Sequence, residues 1–183
     1  LPQANYCDDS IKRLNEIKVV LKEAEDSLTA RSLPLEATNF LFKTIPFQHQ
    51  LEAFMLSKDK KNFALFMEMG TGKTKVAIDV TAYLHAKGEI DTLIVLAPNG
   101  VHNQWVNEDL NSDGEPMGEI KKHMPDFIEY EMMAYKSGTS KKQLARVDEI
   151  LSINDFSKLR IFAINIESQS HKSGVDFLRR LLM

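Results

Sequence analysis

The sequence predicts an α/β fold in which a mostly parallel sheet is flanked by helices and preceded by a helical extension. Three observations lead there. Short apolar runs of strand type recur along the 183 residues; stretches of helical spacing separate them; and a glycine-rich loop stands directly between one run and the next helix. Strands joined through helices need crossover connections, and these make a sheet parallel. The composition is that of a chain able to fill a core: 43% hydrophobic, 8% aromatic and 27% charged. The length suits one such domain with an accessory segment and falls short of two full domains.

The elements follow in order. From Asp9 to Thr29 the apolar residues Ile11, Leu14, Ile17, Leu21, Ala24 and Leu28 fall at steps of three and four, one stripe of an amphipathic helix. Asp8, Asp9 and Ser10 are its capping candidates, and Leu33-Pro34 ends it. Ile45-Pro46 leads into a second helix over 48–57. Phe63-Ala64-Leu65-Phe66-Met67 reads as a short buried strand, with the glycine loop behind it. Val76, Ala77, Val80 and Leu84 mark a helix that closes at Lys87-Gly88. A second strand, 92–97, stops at Pro98, and a helix through Trp105 follows. Residues 127–135 read as a third strand, Leu144, Val147 and Leu151 as a helix, and 159–166 as a fourth strand. A last helix carries Phe177, Leu178, Leu181 and Leu182.

Several function classes drop out on composition. No run approaches the roughly eighteen apolar residues of a membrane span, and no N-terminal stretch has the layout of a secretory signal. The single cysteine, Cys7, cannot form an internal disulfide, which fits a reducing cytoplasm, nuclear location staying open. A net charge of −3 argues against a chain that grips nucleic acid over its whole surface. The pairs Lys60-Lys61, Lys121-Lys122, Lys141-Lys142 and Arg179-Arg180 read as solvated faces, so any nucleic-acid contact must be local. The five histidines are scattered without metal-ligand spacing, and Cys7 has no partner for nucleophilic catalysis.

The chemistry concentrates at Met69-Gly70-Thr71-Gly72-Lys73-Thr74. The full phosphate-loop pattern has an earlier glycine where Met67 stands, yet the placement between apolar run and helix is kept. Glycines let successive N–H groups turn toward phosphate oxygens, and the helix start adds its positive dipole end. Lys73 would then reach the β- and γ-phosphates, and the Thr74 hydroxyl would ligate Mg²⁺. No Asn-Lys-x-Asp or Asp-x-x-Gly stands in the chain to make it a GTPase, and the Gly-x-Gly-x-x-Gly dinucleotide fingerprint is absent. Upstream, Gln50 is a candidate reader of an adenine edge, since a carboxamide donates and accepts side by side. Phe47 is the stacking candidate, and Gln48 competes with Gln50; helix capping is the structural alternative.

Pro46-Phe47-Gln48-His49-Gln50 resembles the Q-motif of superfamily 2 helicases, and Glu68 to Thr74 resembles their motif I. The Glu-Met-Gly-x-Gly-Lys-Thr form is most similar to Swi/Snf-type translocases and their phage-encoded relatives. Leu93 to Pro98, with Trp105 behind, resembles motif Ia, and Ile161 to Glu167 resembles motif Ib. The resemblance covers about residues 45–183, leaving 1–44 as an N-terminal helical extension. It implies the first RecA-like lobe of a nucleic-acid-dependent ATPase, with ATP and Mg²⁺ as cofactors and DNA as partner. Pro98, Asn99, Asn165 and Glu167 become candidate backbone contacts, although the Glu167 carboxylate repels phosphate and is equally suited to holding its loop. Trp105 reads as core rather than base-stacking.

The family's acidic Asp-Glu motif has no counterpart on a buried strand. Asp148-Glu149 lies at half-polar helical spacing and reads as a solvent face, while the strand 159–166 carries Asn165 where a metal-binding Asp would stand. The chain therefore reads as ending before that motif and lacking the second lobe, which implies binding with little hydrolysis. The rival reading is a non-catalytic scaffold or regulatory lobe that docks a protein through the N-terminal helix.

Overall fold

A computed structural model describes residues 8–30, 38–135, 141–153 and 157–182. Helix α1 spans Asp8–Ala30, α2 Gln48–Ser57 and α3 Lys73–Ala86. Strand β1 (Thr92–Ala97) is followed by the short helices α4 (Val101–Trp105) and α5 (Glu119–His123), then by β2 (Glu129–Tyr135). Helix α6 (Lys141–Leu151), β3 (Lys158–Asn165), a 3₁₀ turn (Ile166–Ser170) and α7 (Lys172–Leu181) complete the order. Cys7 and Leu33-Pro34 lie outside the described residues.

The sheet is parallel with order β1-β3-β2. Its middle strand is the most buried of the three, because β3 is covered on both faces. Leu159 and Ile161 join residues of α3, α5 and β2 (Ile78, Ala82, Ile120, Met132) and Met124, just after α5, on one side. Phe162 and Ile164 turn the other way and pack with Val147, Ile150 and Phe177 from α6 and α7. The two-residue alternation of a strand thus builds two cores from one segment. Arg160 pairs with Asp91, clipping the starts of β3 and β1 together and holding the Asp91 carboxyl below its usual range.

Three expectations change. The run 63–67 is not a strand: no described residue pairs with it, Leu65 and Met67 pack on the α2–α3 cluster, and Phe66 is 98% exposed. An apolar run becomes a strand only with a ladder neighbour to take its N–H and C=O groups, and β1 is bonded to β3 alone. The third strand starts at Glu129, with Phe127 half-exposed before it. Helix α1 forms, but its stripe is not covered: Ile11, Leu14, Ile17 and Leu21 are all exposed. The segment 38–44, by contrast, joins the core, where Phe40 stacks on Phe54 at 5.4 Å and Phe42 meets it edge-on at 5.1 Å.

Candidate nucleotide site and its flanks

The loop before α3 has the shape its glycines allow. Gly70 and Gly72 adopt φ of +79° and +83°, a region that costs any residue with a Cβ. Lys73 is the first residue of α3, so the N–H groups of Lys73 and Thr74 lack intrahelical acceptors. The Lys73 ammonium folds back onto the loop, donating to the carbonyls of Met67 (2.9 Å) and Glu68 (2.8 Å). The Thr71 hydroxyl donates to the Glu68 carbonyl at 2.7 Å. A Cβ built on Gly70 would meet no atom within 4 Å, so open space borders the loop there. Among the described residues, the Thr74 hydroxyl has no hydrogen-bond partner. Met69 beside the loop is 98% exposed. The residues therefore fit a triphosphate: free helix-start amides, an unengaged hydroxyl, and an ammonium that can exchange neutral carbonyls for charged oxygens.

Helix α2 presses its first turn against this loop. Gln50 is only 5% exposed, and both ends of its amide are in use. Its Oε1 accepts from the Phe47 backbone N–H (3.1 Å), and its Nε2 donates to the Thr71 carbonyl (3.1 Å). The capping alternative and the loop contact thus coexist in one side chain. His49, one of the five scattered histidines, also belongs to this contact. Its Nε2 reaches the same Thr71 carbonyl at 2.9 Å, and its ring stacks on Phe47 at 5.9 Å and 14°. Phe47 itself is 71% exposed. No local signal showed this contact, since Thr71 stands 22 residues after His49 and 21 after Gln50.

The four flanking candidates meet at the C-terminal edge of the sheet, because Ala97 and Asn165 are register partners at the ends of β1 and β3. Asn165 caps the 3₁₀ turn, its Oδ1 accepting from the Glu167 N–H at 2.7 Å. The Asn99 N–H points at Glu167 Oε1 from 3.4 Å, and the Pro98 carbonyl accepts from Val101 and His102. Glu167 therefore ties two loops together. Trp105 packs against the sheet.

Asp148 and Glu149 lie exposed on α6, paired with Arg180 and Arg146. Among the described residues no group of His, Cys, Asp and Glu is arranged to hold a metal ion, and no helix is long and apolar enough to cross a membrane. A buried pair that the sequence did not single out lies behind the loop: Lys75 and Asp79, one turn apart on α3, meet at 2.6 Å. Burial lifts the Asp79 carboxyl to about 6, against the pull of Lys75 and His123.

No curated protein and no solved structure matches the chain. Residues 14–173 match the family described as type III restriction enzyme, res subunit. That match takes in α1 from residue 14 onward, the glycine loop and the whole sheet, and it agrees with a RecA-like α/β lobe carrying an N-terminal helix. This chain belongs to the type III restriction enzyme res subunit family, and so to the helicase-like, ATP-binding lobes of superfamily 2.

Proposed function

We propose that this chain is the ATP-binding lobe of a DNA-dependent helicase or translocase, with Lys73 on the β- and γ-phosphates and Thr74 on Mg²⁺. The observation that carries this is the Gly70–Thr74 loop: two left-handed glycines opening onto a helix start, with the lysine and hydroxyl that a phosphate site uses. Bound Mg·ATP would supply the energy-yielding phosphoanhydride. The chain would supply amides, ammonium and hydroxyl to hold it. Gln50 keeps a second hydrogen on Nε2 and a second lone pair on Oε1, so in this reading it would address an adenine edge while still holding Phe47 and Thr71. Phe47 is 71% exposed although its ring stacks on His49, and in this reading its exposed surface would take the base. Residues 45–183 form the lobe proper in this reading, with 1–44 as its extension, and Pro98, Asn99 and Asn165 face the nucleic-acid backbone.

The Swi/Snf-type likeness of Glu68 to Thr74 is a finer assignment that the family match does not single out. Weak turnover by this chain alone is expected because Asp148 and Glu149 lie exposed on α6, paired with Arg180 and Arg146, and β3 ends in Asn165 where a metal-binding Asp would stand. Lys73→Ala is expected to abolish Mg·ATP binding by calorimetry; unchanged affinity would end the assignment.

A second reading rests on α1. Ile11, Leu14, Ile17 and Leu21 are 46%, 47%, 52% and 59% exposed, an uncovered stripe that suits a protein partner. Deleting the residues before Leu33 separates the two roles. Loss of a bound protein with nucleotide affinity intact favours docking, while insolubility makes the helix part of the core.

A further inference from the structure

We propose that His49 is a positioning residue of the nucleotide loop, acting with Gln50 to aim the Gly72 amide at a phosphate. This inference rests on the nucleotide reading above. The Thr71 carbonyl accepts from His49 Nε2 at 2.9 Å and from Gln50 Nε2 at 3.1 Å. A carbonyl oxygen has two lone pairs, and here consecutive side chains of one helix turn use both. Because the acceptor is a carbonyl, the ring must carry its hydrogen on Nε2, which holds in the neutral and the charged ring alike.

The consequence follows from peptide geometry. In a planar trans peptide the C=O and the N–H point in opposite directions. The Thr71–Gly72 peptide has its oxygen pulled toward α2, so its N–H, belonging to Gly72, is turned away from α2. Thr71 stands between two glycines with positive φ, at +79° and +83°, and glycine peptides flip readily. One donor would leave this peptide able to rotate about its remaining bond. Two donors from a rigid helix start hold its plane, and a held N–H is worth more to an anion than one that must first be ordered. His49 is exposed, and its ring is steadied by the parallel Phe47 ring at 5.9 Å. The role concerns phosphate recognition, because the group held in place is the Gly72 N–H rather than a side chain that reads a base.

The test titrates Mg·ATP, Mg·ADP and adenosine by calorimetry into the full chain and into His49→Ala, His49→Phe and His49→Gln. Lys73→Ala serves as the control. The expected result is a loss of about three- to tenfold in affinity for both nucleotides in the Ala and Phe variants, on the order of one hydrogen bond. Adenosine affinity should stay unchanged, and the Gln variant, which keeps a donor, should recover most of the loss. His49→Phe retains a ring to stack on Phe47, so wild-type affinity in that variant would assign the effect to stacking and overturn the proposal. Equal loss for adenosine, or no rescue by Gln, would overturn it as well. If Lys73→Ala binds Mg·ATP like the wild type, the nucleotide reading itself falls and this inference with it. Loss in Lys73→Ala with none in His49→Ala rejects the His49 role alone.

Discussion

Asp79 is where burial and charge collide most directly at the scale of single residues. It is 1% exposed, its Oδ2 meets Lys75, and its Oδ1 has no partner among the described residues. Desolvation raises the carboxyl from 3.8 to about 6, more than Lys75 and His123 lower it. The sign is set by the raised value. The folded state favours the protonated acid, so Asp79's contribution is complete below the ordinary carboxylate value and is lost as pH climbs through about 6. Denaturation at a series of pH values should show the wild type losing stability relative to Asp79→Asn between about pH 4 and 6, with parallel curves above 7. Parallel curves throughout would remove the shifted carboxyl from the account. Replacing both partners at once, Lys75→Met with Asp79→Leu, should be neutral or mildly stabilising, since a buried ion pair seldom outweighs well-packed apolar groups.

Elements obey their partners more than their own composition. The runs 63–67 and 158–165 are both apolar, yet only the second is a strand, because β3 lies between two neighbours and the other run has none. Phe54→Ala should therefore cost about 3–5 kcal/mol in a melting experiment, as a fully buried ring is lost from a packed cluster. Phe66→Ala should cost under about 0.5 kcal/mol, since that ring is 98% exposed. A large loss at Phe66 would mean that the run is sheltered in solution. Gly174 gives a second check. A Cβ there would lie 2.1 Å from the Ser168 carbonyl, at the joint between α7 and the 3₁₀ turn. Alanine's better helix propensity offers about 1 kcal/mol. The enforced separation costs about 1–3 kcal/mol. Gly174→Ala is expected to lower the melting temperature on balance.

The whole molecule was legible in proportion to how local each signal was. Helix α2 ran over 48–57 as its spacing indicated, and α3 followed the glycine loop, because caps, glycines and periodicity act within a few residues. The parallel sheet followed from alternation of element types. What stayed hidden depended on distant neighbours: the missing ladder partner of 63–67, the uncovered stripe of α1, and the anchoring of Phe40 and Phe42 in the core. At the site, Lys73 and Thr74 could be named from spacing alone. The engagement of both ends of Gln50, and the arrival of His49 at the same carbonyl, needed the loop and α2 side by side. The measurement that bears most directly on the central claim is a titration of this chain with Mg·ATP, followed by turnover with and without duplex DNA. Saturable binding with little turnover in either condition is the expected result. An absence of binding would contradict the nucleotide assignment outright, and strong DNA-stimulated turnover would contradict the claim that the hydrolytic groups are missing from the described site.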